Sequence, residues 1–197
     1  SPEDLEIVDG TIRVKGAPGR EVSLEQVARL STSKYEPVYG RGASAQKIIA
    51  PGFAAHLAHV RVDPDTGAVD ILGYVAAQDV GFAINPSAVI GQIVGGAVQG
   101  IGWALSEQMV HDDGGQLLTA SFMDYAMPKA PTTPFVETIL VTVPAPDGPF
   151  GARIVGEPPI IPPIAAIGNA IKHATGKRLT ESPFLAERVL NALNGEQ

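Results

Sequence analysis

The sequence predicts an α+β fold, with antiparallel strands packed against a long glycine-rich helix and C-terminal helices. Three observations carry this. Two stretches read as hairpins, residues 5–15 and 53–78. A long apolar segment opens on Asn85-Pro86, a helix-start signature. Two shorter helical patterns close the chain. No internal repeat and no clear linker interrupts them, so residues 1–197 read as one domain.

In order, Leu5–Val8 and Thr11–Val14 flank Asp9-Gly10, a strong short-hairpin signal. Ser23-Leu24-Glu25-Gln26 fits a capping box before a short amphipathic helix. Residues 31–51 lack a sustained period and read as an irregular connection. Within them Gly40-Arg41-Gly42-Ala43-Ser44 reads as a loop, with a phosphate cradle as the weaker reading. Phe53 to Asp63 alternates as a strand, Asp63-Pro64-Asp65-Thr66-Gly67 turns, and Val69 to Gln78 returns. His56 and His59, three apart on a strand, face opposite sides and do not make a joint metal site.

The next helix is expected from Asn85 to about His111, ending at Asp112-Asp113-Gly114-Gly115. Five glycines at 91, 95, 96, 100 and 102 each cost about 1 kcal/mol of helix propensity against alanine. Such a surface suits close approach of another backbone or of a flat ligand, and the spacing leaves both open. Gln92 and Gln99, seven apart, share one face. Gln116–Thr119 and Val136–Val143 read as strands. Pro162-Pro163 starts a helix ending at Thr175-Gly176, and Ser182-Pro183 starts a last one.

Between these lies Gly151-Ala152-Arg153-Ile154-Val155-Gly156-Glu157-Pro158-Pro159. Pro158 biases Glu157 toward extended dihedrals, giving a carboxylate on a stiff, non-helical hinge. Ile154, Val155, Ile160 and Ile161 form an apolar setting expected to bury it. Taken alone, Glu157 reads first as a charge at a helix entry.

Composition narrows the function classes. Hydrophobic content of 45% with 18% charged residues is globular. A net charge of −7 argues against nucleic-acid and anionic-membrane partners. Without cysteine the chain offers no thiolate for an iron–sulfur cluster. The most apolar window, Ile90–Leu105, is sixteen residues with two glutamines, short and polar for a bilayer span. No basic-then-apolar leader follows Ser1, and a cytoplasmic localisation is expected.

Three blocks together resemble the C-terminal end of the molybdenum-cofactor-binding subunit of the xanthine dehydrogenase/aldehyde oxidase/carbon monoxide dehydrogenase family. They are Val60-Arg61-Val62-Asp63-Pro64-Asp65-Thr66-Gly67 with Asp79-Val80-Gly81 and Ile84-Asn85-Pro86; Gly91-Gln92-Ile93-Val94-Gly95-Gly96 through Gly102; and Gly148 through Pro159. The resemblance implies that Glu157 is the general base of a molybdenum hydroxylase. Such enzymes oxidise an aldehyde, an N-heteroaromatic or a similar small substrate by inserting water-derived oxygen. It implies that Gln92 hydrogen-bonds a molybdenum–pterin cofactor, molybdopterin or its cytosine dinucleotide form, with no protein side chain as metal ligand. It further implies a segment of a larger molybdopterin-binding domain that shares the cofactor with an N-terminal part. The implied partners are the rest of the molybdenum subunit and iron–sulfur and flavin subunits or domains, in an oligomeric assembly, with neither iron–sulfur nor FAD in this chain. Two departures stand out. Ile154 occupies a usual glycine position, and family subunits are several times longer. A non-catalytic chain that keeps the fold and uses the glycine face for subunit packing therefore stays open.

Overall fold

The computed structural model describes residues 1–17, 19–35, 37–43 and 51–195. The chain divides into two compact units, Ser1–Ala45 and Gln46–Gln197, and the boundary falls in the stretch the sequence marks as irregular.

The first unit is a three-stranded antiparallel sheet with one helix. Strands β1 (Leu5–Val8) and β2 (Thr11–Val14) pair as expected, and β3 (Glu21–Ser23) adds to β2. Asp9 and Gly10 both take positive φ, 48° and 75°, the twist a two-residue hairpin turn needs. Helix α1 (Leu24–Lys34) is capped reciprocally: the Gln26 amide donates to Ser23 Oγ, and the Ser23 amide to Gln26 Oε1, both at 3.1 Å. Residues 40–43 form no regular element, and Ser44 of the glycine-rich loop lies outside the described residues.

In the second unit β4 (Phe53–Val62) and β5 (Val69–Asp79) form the long antiparallel hairpin, with a bulge between His59 and Val60. Asp63 Oδ1 accepts from the amides of Asp65 and Thr66 at 2.8 and 3.2 Å, and Gly67 closes the turn at φ 73°. A side chain at Gly67 would collide with the backbone of the last helix, so this turn docks that helix.

Helix α2 (Pro86–Leu105) begins where expected, with the Ala88 amide donating to Asn85 Oδ1 at 3.1 Å. It stops six residues early. At Ser106 the chain folds back, its hydroxyl donating to the Ala126 carbonyl at 2.7 Å, while the Glu107 amide returns to the Gly102 carbonyl at 2.8 Å. At 20 residues α2 is long and apolar enough to cross a membrane by length and composition, contrary to the shorter sequence window. A third of its 18-residue apolar window is buried, with Ile93, Ala97, Ile101 and Ala104 in the core, while Ile90 and Trp103 stay exposed.

Strand β6 (Val136–Val141) pairs with β5 in parallel, which corrects the all-antiparallel expectation. Because α2 and the connection after it carry the chain back across the sheet, β6 enters from the same end as β5. The sheet order is β4-β5-β6, and α+β remains the class. Gln116–Thr119 is not a strand. A single bridge between His111 and Leu117 closes a tight loop there, with Asp112 Oδ1 accepting from the Gly114 and Gln116 amides.

Helix α3 (Pro162–Thr175) ends on Gly176 at φ 75°, as the sequence predicts. Helix α4 (Ala186–Asn194) starts three residues after Pro183. The intervening residues are engaged in docking: the Phe184 amide donates to the Ala104 carbonyl at 2.6 Å, and its ring lies against Gly168. One face of the sheet (Tyr74, Ala76) joins α2 and α3 in the core; the other leaves Phe53, Leu57 and Ile139 exposed.

Candidate functional site

The Gly151–Pro159 stretch is strapped round the end of β5. Gln78 and Asp79 are consecutive on that strand and point to opposite faces of the sheet. Gln78, fully buried, donates through Nε2 to the carbonyls of Ile154 and Val155 at 3.3 and 3.2 Å. Asp79 grips from the other side. Its Oδ2 lies 3.1 Å from Arg153 Nε, and its Oδ1 accepts from the amides of Gly81 and Val143. Arg153 also donates from Nε to the Val143 carbonyl at 2.7 Å and from Nη1 to the Pro51 carbonyl at 2.9 Å. Such further hydrogen bonds offset the desolvation cost of a buried ion pair. Gly81, at φ 62°, runs so close to Gly151 and Arg153 that a Cβ would overlap the Gly151 carbonyl.

Beyond the strap, Glu157 departs from its expected conformation. It lies in the right-handed helical region (φ −85°, ψ −37°) and heads a short 3₁₀ turn, Pro158–Ile160, rather than an extended hinge. Two contacts override the bias of Pro158. The Ile160 amide closes on the Glu157 carbonyl at 3.2 Å, and Pro159 is buried against Gly96. Nor is Glu157 buried. It is exposed, and flanking Ile154 and Ile161 are 46% and 73% exposed, because the apolar run lines an open surface. Ile154 holds ordinary backbone geometry: among the described residues Asp9 and Phe150 are the non-glycines with positive φ.

The glycines of α2 divide into two sets. A side chain at Gly96 would meet Pro159, at Gly100 Pro163 and the Ile160 carbonyl, and at Gly102 Glu107 and Pro128. These three serve close packing, and the first two seat the turn that carries Glu157. Gly91 and Gly95 have nothing within 4 Å of a would-be Cβ. Their helix-propensity cost has no packing return among the described residues. Between the two sets projects Gln92, exposed, with Oε1 3.5 Å from where a Cβ on Gly156 would stand. Gly156 is itself neither crowded nor at positive φ, so its bareness widens this surface. The structure thus brings Gln92 and the Gly156-Glu157 pair to one place, although Gln92 and Glu157 lie 65 positions apart in sequence. Gln99 is exposed two turns further along α2.

A molybdopterin cofactor-binding domain model matches residues 1–134, which include the Gln92 block and stop short of Glu157. The chain belongs to the molybdopterin cofactor-binding family. The gamma subunit of the 6-hydroxypseudooxynicotine dehydrogenase complex of Paenarthrobacter nicotinovorans is 35% identical over 98% of this chain and 26% of that subunit. The carbon monoxide dehydrogenase large chain of Afipia carboxidovorans is 32% identical over 87% of this chain and 22% of that one. The solved structure of reconstituted carbon monoxide dehydrogenase from Oligotropha carboxidovorans superposes over the whole chain with a TM-score of 0.84 at 27% identity, covering 25% of that chain. The chain spans about a quarter of the length of these relatives.

The residues present fit a flat cofactor of this family. Two uncovered helix glycines, the bare Gly156 and one exposed amide make a shallow polar cradle that any side chain at those glycines would fill. Among the described residues no group of three His, Asp or Glu side chains could hold a metal ion. Sequence reading missed Gln78, Asp79 and Arg153 as the residues that fix the site. Their signal was faint: a glutamine and an aspartate closing a strand whose residues 71–77 carry no charge.

Proposed function

We propose that this chain is the portion of a molybdenum hydroxylase that supplies its general base, Glu157, and an amide contact to the pterin, Gln92. In this reading residues 1–197 are a segment of a larger molybdopterin-binding domain. The juxtaposition of Gln92 with Gly156, next to Glu157 in the chain, supports it best, because it brings the glycine-rich helix and the residue bearing the carboxylate to one open surface. The bound cofactor, as molybdopterin or its cytosine dinucleotide, supplies the two-electron acceptor and the acidified oxygen that make hydroxylation possible. Gln92 offers both an amide donor and an acceptor and fixes the ring's orientation. Glu157 accepts a proton from the attacking oxygen and holds it at one carboxylate oxygen. The 3₁₀ turn, seated on Gly96 and Gly100, fixes the backbone from which that carboxylate projects.

The substrate class is an aldehyde, an N-heteroaromatic ring or a comparably small molecule with an electrophilic carbon. Electrons leave to iron–sulfur and flavin subunits or domains, and the rest of the molybdenum subunit completes the substrate funnel. Replacing Glu157 by Gln in the loaded enzyme tests the assignment. Turnover is expected to vanish while molybdenum content stays at the wild-type level.

A subunit-packing role without catalysis is the second reading. The bare surface at Gly91 and Gly95 favours it, since such a surface also admits the backbone of another chain. It leaves Gln92 without a use, and elemental analysis separates the two, since it predicts no bound molybdenum.

A further inference from the structure

We propose that Gln78, backed by His56 and Tyr74, is the positioning residue that sets the place of the Glu157 turn. This rests on the reading of Glu157 as the base. Gln78 is fully buried, and its amide nitrogen spans two successive carbonyls, Ile154 and Val155, just before Gly156-Glu157. The carboxamide has one orientation that makes these bonds, because its oxygen cannot donate. That leaves Gln78 Oε1 buried with no hydrogen bond from the described protein atoms, and His56 Nε2 is in the same condition. The sheet register relates them. His56 stands opposite Ala76, so Tyr74 and Gln78 flank it two residues to either side on the inward face. Such diagonal neighbours lie roughly 7–8 Å apart, within reach of a long side chain.

Tyr74 holds the near side of the ring: its hydroxyl is 2.9 Å from His56 Nδ1, and the two rings meet edge to face at 5.5 Å. Desolvation depresses His56 to a pKa of about 4, so the ring is neutral and carries one proton. With Tyr74 donating to Nδ1, that proton sits on Nε2, and one bridging water joins this unused donor to the unused Gln78 acceptor. A relay therefore runs from Tyr74 through His56 to Gln78 and ends on the backbone that carries the base. Buried polar groups satisfied in such a chain hold one geometry, whereas a half-satisfied chain does not.

Hydrogen exchange on the full chain tests this without any cofactor. Gln78→Met keeps the side chain's length and removes its donors. The hydrogen-bonded amides on either side of the tethered segment, Arg153 to the Val80 carbonyl and Ile160 to the Glu157 carbonyl, are expected to exchange about tenfold faster, with α3 unchanged, because a local opening is being released. Unchanged exchange at Arg153 and Ile160 overturns the proposal. If Gln78→Met fails to fold, His56→Phe decides: acceleration confined to the same two amides is expected, and none overturns it. Nitrogen chemical shifts should place the His56 proton on Nε2, and a proton on Nδ1 contradicts the relay. In the loaded enzyme Gln78→Met should lower kcat with KM unchanged, as a displaced base would. Should Glu157→Gln instead retain turnover, the base reading fails while the exchange result still stands, so the two failures are distinguishable.

Discussion

At Asp79 one carboxylate ties three pieces of chain together: the end of β5, the residues after β6 and the strap that leads to Glu157. Asp79→Leu leaves Arg153 with its charge buried and unpaired. It is expected to destabilise the chain by about 3–5 kcal/mol in urea unfolding. The exposed pair of Arg61 with Asp70 is geometrically as close, yet its loss should cost under about 1 kcal/mol. His56 sets a pH dependence. Its folded pKa lies below the unfolded value, so the unfolded chain binds the extra proton. Stability contributed by the neutral ring is complete above the unfolded pKa of about 6.5 and is lost as pH falls toward about 4. The difference in melting temperature between wild type and His56→Phe should therefore shrink or change sign across that window.

At the scale of the element, α2 carries two glycine sets with opposite expectations. Gly100→Ala drives a methyl into Pro163 and the Ile160 carbonyl and should displace the turn bearing Glu157, lowering both stability and activity. Gly95→Ala meets nothing and should raise the unfolding free energy by up to about 1 kcal/mol. The same change should lower molybdopterin occupancy, since the added methyl stands in the cradle. Thermal unfolding and metal analysis of the two variants measure this contrast. The elements themselves were legible in sequence wherever a local device defines them: Asp9-Gly10, the Ser23–Gln26 box, Asn85-Pro86 and Gly176. What stayed hidden depends on contacts distant in sequence. The early stop of α2 at Ser106 answers to Ala126, the late start of α4 to Ala104, and the parallel entry of β6 to the path of α2 across the sheet.

At the scale of the whole molecule, the outer face of the β4-β5-β6 sheet leaves Phe53, Leu57 and Phe135 exposed, the last at 86%. A contiguous apolar face of this kind seeks a cover. The 197-residue chain on its own is expected to self-associate in light scattering, and Leu57→Lys should reduce that association. The site was partly legible in sequence: Gln92 and Glu157 each stood out, but neither the helical setting of Glu157 nor its exposure did. Both arise from the seating of Pro159 on Gly96. In the proposed reading Glu157 is the base beside a molybdopterin held at Gln92. Glu157→Gln in the molybdenum-loaded enzyme measures it most directly. Loss of substrate-dependent turnover with undiminished molybdenum content is the predicted result, and turnover at the wild-type rate would contradict it.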